Sequence, residues 1–215
     1  MIVSKFDDRI EVGAALFQAL GAKPGDRIWL GADVLHLTEL SSDYSYVLAA
    51  KTLRAAPGAS FSFLPTPENP IVSVEIFAET VAGALALSCD GADGRDGVSG
   101  SPGGDGAIGG DGGRAFVRYA RASGPVTGSA RPGKGGVGGR GTDGATNDGQ
   151  DGLEGRPGVV DIAEIEAAAI WAELPTEFLE RWRAAMPNLP LCGGGQKLRE
   201  TNKAGKVTFA VENDA

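Results

Sequence analysis

At 215 residues and a formal net charge of -8, the chain suits one domain or one domain with an appendage. Its acidity argues against nucleic acid as a partner, because phosphate backbones demand basic patches. No stretch approaches the roughly 18 apolar residues of a membrane-spanning helix, so no membrane span is expected.

Met1-Ile2-Val3 gives way at once to Lys5, Asp7 and Asp8, which leaves no apolar run of the signal-peptide kind. Synthesis in the cytoplasm without a signal peptide is expected. Delivery outside would need lysis, a dedicated secretion route, or assembly into an extracellular or phage-like particle. Cys89 and Cys192 are the two cysteines; too few for a disulfide framework, they read as reduced thiols, with a single bridge between them as the alternative.

In chain order, Arg9-Ile-Glu-Val12 alternates like a strand, and Ala14 to Leu20 reads as a helix stopped by Gly21. A repeat follows. Ile28-Trp-Leu-Gly-Ala32-Asp-Val-Leu35 aligns with Tyr46-Val-Leu-Ala-Ala50-Lys-Thr-Leu53 and Val74-Glu-Ile-Phe-Ala78-Glu-Thr-Val81. Phe116-Val-Arg-Tyr-Ala120-Arg-Ala-Ser123 matches more loosely. In the first three, apolar residues stand four and two before the alanine and three after it. That is a strand with one buried face, and Ala32, Ala50, Ala78 and Ala120 read as small residues at a tight corner. Short second strands are expected at Ala59 to Phe63 and Ala84 to Leu87. Stacked units of this kind, separated by growing inserts, suggest a parallel β-helix, with a β-sandwich as the alternative.

The inserts are glycine-rich: 24 of the 34 glycines fall between positions 91 and 158. Gly91, Gly94, Gly97, Gly100, Gly103, Gly106, Gly109 and Gly112 keep a strict period of three. It returns at Gly135, Gly138, Gly141 and Gly144, and again from Gly149 to Gly158. Neither the helical period of 3.6 nor the strand period of 2 gives this, whereas a polyproline II chain does. Collagen is disfavoured, since only Pro102 supplies proline between Ala92 and Asp111 and the run is short. The tract from Cys89 to Gly103 resembles the repeats of snow-flea-type glycine-rich antifreeze proteins and of glycine-rich phage tail-fibre adhesins. The resemblance covers residues 89–158, is one of pattern, and carries no binding residue over. It implies a polyglycine II bundle. Asp93, Arg95, Asp96, Asp105 and Asp111 depart from the flat, uncharged face of the antifreeze family.

At the carboxyl-terminal end, Asp161-Ile-Ala-Glu164 reads as a capping box opening a helix to about Glu173. A second helix follows Pro175, with an apolar stripe of Phe178, Leu179, Trp182, Ala185 and Met186. Pro187 to Pro190 ends it, Gly193 to Gly195 is a turn, and Val207 to Val211 reads as a last strand.

Chemistry-bearing patterns are sparse. Gly109 to Val117 nearly matches a calcium-binding nonapeptide, but Arg114 occupies the essential aspartate place. Asp90, Asp93 and Asp96 are weak candidate metal ligands, as hard oxygen donors. Lys134 to Thr142 lacks the lysine and helix of a phosphate loop. His36 stands alone on a strand, and Trp29, Trp171 and Trp182 read as core before sugar platforms.

The expectation is a mainly β protein: a short β-helix-like solenoid over residues 1–88, polyglycine-II-like loops with one strand over 89–158, and a helical cap or docking segment over 159–215. No catalytic residue and no cofactor are expected. A fibre subunit or tail-tip adhesin is the leading function, with self-association, a larger assembly, or a surface glycan or receptor as partner. An ice- or calcium-binding module, or a β-helix enzyme acting on glycans, is the alternative.

Overall fold

The computed structural model describes residues 1–57, 59–65, 69–142 and 148–186. Gly144, Cys192, the Pro187–Pro190 stop, the Gly193–Gly195 turn and the strand expected at Val207 to Val211 lie outside the described residues.

Six parallel strands form one sheet: β1 (Ile2–Val12), β2 (Arg27–Leu37), β3 (Ser45–Ala55), β5 (Ser73–Ala82), β7 (Arg114–Ala122) and β9 (Val159–Glu164), in that spatial order. A second parallel sheet contains β4 (Ser60–Ser62), β6 (Leu85–Ser88) and β8 (Val126–Ser129). Among the described residues the helices are few: α1 (Ala14–Ala19), α2 (Ala167–Ile170) with a 3-10 turn at Trp171–Glu173, and α3 (Thr176–Ala185).

This corrects the expected solenoid. Among the described residues no closed coil forms. The β1–β2 connection contains α1, and the β2–β3 connection contributes no strand to the small sheet. The architecture is α/β-like, a large parallel sheet beside a smaller one. Where β1 joins β2 and β2 joins β3, side chains take the place of a returning strand: Phe17 of α1 lies 5.1 Å from Tyr44 and 6.0 Å from Tyr46, ring centre to ring centre.

The repeated alanines sit side by side, Ala32 opposite Ala50 and Ala50 opposite Ala78. Tyr119 is the partner of Ala78 in β7, so Ala120 lies one position beyond that row. Around each of the three alanines the inward residues run at two-residue intervals: Ile28, Leu30, Ala32; Tyr46, Leu48, Ala50; Val74, Ile76, Ala78. The next inward residues are Leu35, Leu53 and Val81, three positions on. The ladder omits Asp33, Lys51 and Glu79 at that step, so the strands change phase together. Lys51 and Asp33 pair across the row at 2.9 Å. One inserted residue flips the buried face of a strand, and repeating it in register keeps both halves of each strand in the core.

The second carboxyl-terminal helix forms after Pro175 as expected, at Thr176–Ala185, but the first differs. Asp161 to Glu164 continues β9 and does not open a helix; α2 begins at Ala167. The parallel ladder to β7, with Arg118 donating to both carboxylate oxygens of Asp161 at 2.9 and 2.8 Å, outweighs a local capping signal. The helical segment caps the large sheet from one side. Its helices lie on the outer face of the large sheet, where Ile170, Trp171, Leu174, Phe178 and Trp182 bury Trp29, Val47, Ala49 and Phe77. The outer row Phe6, Gly31, Ala49, Phe77 explains the site: small residues in its middle leave a depression. Trp182 fills it, ring 6.4 Å from Phe6 and 5.7 Å from Phe178. A Cβ on Gly31 would lie 2.9 Å from the Trp182 ring.

Candidate functional site

Four extended tracts leave the sheets together. The first, residues 89–100, continues from β6; the second, 103–113, returns into β7. The third, 130–141, continues from β8; the fourth, 149–158, returns into β9. No α-helix or multi-residue strand forms in them; Gly100 and Gly141 make one isolated parallel bridge.

Their hydrogen bonds recur every third residue. Gly91, Gly94, Gly97 and Gly100 donate to the carbonyls of Arg131, Lys134, Val137 and Arg140 at 2.7 to 3.0 Å. Gly106, Gly109 and Gly112 donate to Gln150, Leu153 and Arg156 at 2.8 to 2.9 Å. First and third tracts are therefore parallel neighbours, as are second and fourth. The second runs antiparallel to the first, with Gly104, Ala107 and Gly110 donating to Val98, Arg95 and Ala92. The third and fourth are joined through Gly149, Gly152 and Gly155 donating to Gly139, Gly136 and Gly133. Gly133, Gly136 and Gly139 donate in turn to Gly110, Ala107 and Gly104 of the second tract.

The aspartates complete this lattice. Each residue before a glycine accepts an N–H from the residue whose carbonyl that glycine engages: Asp90 from Arg131 (2.7 Å), Asp93 from Lys134 (2.8 Å), Asp96 from Val137 (2.8 Å) and Ser99 from Arg140 (3.2 Å). Asp105 does the same with Gln150 and Asp111 with Arg156, at 2.8 and 2.7 Å. An Asp-Gly dipeptide thus clamps both polar groups of one residue in the next tract. Asp151 and Asp148 accept from Gly138 and Gly141 at 2.7 and 2.6 Å. At Ile108 the side-chain half of the clamp is missing, and Ile108 and Leu153 expose an apolar pair.

Two carboxyls of the bundle carry a resolved electrostatic signature. Asp90 is held below the usual carboxylate range: burial opposes ionisation, but the Arg131 N–H, the Ser129 and Ser88 hydroxyls and the Arg131 charge outweigh it. Asp111 is lowered chiefly by the Arg156 side chain, then by its backbone N–H. Burial pushes the Cys89 thiol up to about 12, which keeps it protonated and unreactive at neutral pH.

Asp90, Asp93 and Asp96 stand one turn apart, each with one oxygen committed to a backbone N–H. Among the described residues no three His, Cys, Asp or Glu side chains come together as metal ligands. Gly91, Gly94, Gly97, Gly103, Gly106, Gly109 and Gly112 all face neighbouring backbone with no room for a Cβ, whereas at Gly100 the nearest atom is Pro102 O at 3.3 Å. Lys134 to Gly141 belongs to the third tract. Arg114 opens β7 with its guanidinium 5.2 Å from the Phe116 ring centre, and His36 is half-buried between Glu11 and Arg54 on adjacent strands. Trp29, Trp171 and Trp182 are all buried. A recess of about 660 Å³ beside β5, β7 and α2 is lined by Glu79, Thr80, Arg121, Glu164 and Glu166, with Glu79 accepting the Trp171 indole N–H at 3.1 Å.

The clamping role of Asp and Ser was missed in the sequence. Their regular place immediately before glycine was the available signal. No family model, curated protein or solved structure matches the chain. Among the described residues no helix is long and apolar enough to cross a membrane.

Proposed function

We propose that this is a non-enzymatic structural or surface-recognition protein, of the fibre-subunit or adhesin kind, and that the four-tract bundle is its working part. The observation that carries this reading is the repetition of the Asp-Gly clamps at every third residue. At about 3.1 Å per residue for a polyproline II chain, equivalent side chains recur every 9 Å or so. Arg131, Lys134, Val137 and Arg140 are all exposed on one such ridge, while Gly133, Gly136 and Gly139 behind them are buried. A comb fixed by backbone hydrogen bonds has little conformational freedom left to lose on contact, which favours binding to a repetitive surface. A surface glycan, a receptor array or further copies of the chain fit that geometry. No cofactor enters the reading.

The test compares wild type with Gly106→Val, which removes the bundle's packing while leaving the sheets their own core. Binding to a glycan array and assembly followed by light scattering are the readouts. Any wild-type activity must be lost in the variant. Activity that survives Gly106→Val would move the working surface to the sheets and refute the reading, as would a wild type inactive in both assays.

A further inference from the structure

The face formed by the first and third tracts carries two parallel rows of opposite charge. One row is Asp90, Asp93, Asp96 and Ser99; the other is Arg131, Lys134, Val137 and Arg140. The clamps hold the rows level, rung by rung, at one shared spacing. On the opposite face the equivalent rung is closed on itself: Arg156 donates to Asp111 through both its backbone and its guanidinium, at 2.7, 2.6 and 3.0 Å. Arg131, Lys134 and Arg140 make no such ion pair among the described residues, although each also stands beside its clamp acceptor. Asp93 and Asp96 likewise use Oδ1 alone in the clamp.

We propose that this face is an interface with a second copy of the chain. The proposal rests on the reading of the bundle as the contact element and names its partner. A two-fold axis lying in the contact plane, parallel to the tracts, sets the acidic row of each copy over the basic row of the other. Because paired residues are already level within one copy, Asp93 meets Lys134 of the second copy without adjustment, and Asp90, whose Oδ2 already accepts the Ser88 hydroxyl, meets Arg131 at the same level. Ser99 meets Arg140 in the same way, and Val137 faces the aliphatic part of Asp96. The contact is isologous and closed. Any other partner would need both charge rows at the same spacing, which a second copy supplies by construction. A simple polyanion would meet the aspartates as well as the cations, so it is disfavoured.

The experiment is sedimentation equilibrium on the full chain over a wide concentration range, at low and high salt. Wild type should dimerise reversibly, and added salt should weaken the dimer because exposed charges are screened. Arg131→Gln with Lys134→Gln and Arg140→Gln removes side chains that make no internal bond. It should weaken association by about tenfold to a hundredfold, since four exposed ion pairs are lost. Asp90→Asn with Asp93→Asn and Asp96→Asn keeps a carbonyl oxygen for each clamp and should weaken it similarly, with hydrogen exchange checking that the bundle remains folded. A monomeric wild type, or a dimer indifferent to salt and to the glutamine variant, overturns the proposal. A dimer lost in Gly106→Val but retained in the glutamine variant overturns this interface and leaves the bundle reading standing. A dimer retained in both overturns the two together.

Discussion

Gly106 and Gly100 belong to the same sequence register, yet the structure gives them opposite demands. Only Gly21, Gly25 and Gly83 have positive φ among the described residues, so the tract glycines are required by space and not by backbone conformation. A Cβ on Gly106 would clash with the Gly136 carbonyl and stand 3.0 Å from the Gly152 nitrogen. Gly106→Ala must therefore push three tracts apart, stretching the bonds Gly106 to Gln150, Gly136 to Ala107 and Gly152 to Gly136, now 2.8 to 2.9 Å. Losing two or three of these at about 1 kcal/mol each costs roughly 2–3 kcal/mol. The stiffer unfolded chain returns about 0.4–1 kcal/mol, leaving a net cost near 2 kcal/mol. Gly100→Ala meets only Pro102 O at 3.3 Å and should fall within about 0.5 kcal/mol of wild type. Amide hydrogen exchange across residues 91–158 is the assay, because the tracts contain no tryptophan and their openings can be local. Equal costs for the two variants, or a harmless Gly106→Ala, would refute the reasoning.

Other outcomes follow from named contacts. Asp90 and Asp111 titrate below their unfolded values, so the stability they contribute is present above about pH 4 and is lost as pH falls through the lower folded values; bundle exchange protection should drop on acidification, and less steeply in Asp111→Asn. Gly31→Ala places a Cβ 2.7 Å from Phe6 Cδ1 and 2.9 Å from Trp182 Cδ2; overpacking of this kind costs about 1–3 kcal/mol, visible as a lowered Tm and altered tryptophan fluorescence. Cys89, buried and raised to about 12, should resist a thiol reagent at pH 8 in the native state and react fully in denaturant.

The legible part of the fold was whatever depended on local periodicity. The alternation around Ala32, Ala50 and Ala78 identified real neighbours, because a row of like residues in parallel strands must share burial and size. What that pattern does not encode is how the chain returns between strands. The same β-strand signal is consistent with a closed coil or with an open sheet crossed once by a helix, and Phe17, Tyr44 and Tyr46 decide between them only through their mutual packing. Asp161 to Glu164 failed for a related reason: a capping box is a local preference worth about 1 kcal/mol, and it lost to a six-residue ladder with a bidentate arginine. In the bundle, the glycine period was plain, while the clamps were hidden because their partners lie 41 to 45 residues away.

The doubled glycines carry the remaining information. The bundle in cross-section is two triangles sharing an edge: first, second and third tracts make one, and second, third and fourth make the other. A tract needs one glycine ridge for each triangle it enters. The first and fourth tracts enter one each and carry a glycine every third residue. The third enters both, and its sequence Gly133-Lys-Gly-Gly-Val-Gly-Gly139 leaves only one position per turn for a side chain. The second also enters both, but its ridge toward the first tract is looser: a Cβ would sit 3.3 Å from Val98 N at Gly104 and 3.1 Å from Ala92 N at Gly110. That is the ridge where Ala107 already stands. Gly104→Ala should accordingly cost less than about 1 kcal/mol. Gly136→Ala, whose Cβ would clash with the Arg95 carbonyl, should cost as much as Gly106→Ala. If hydrogen exchange gave Gly104→Ala and Gly136→Ala the same penalty, glycine count would not report the number of covered sides, and the doubling would need another cause.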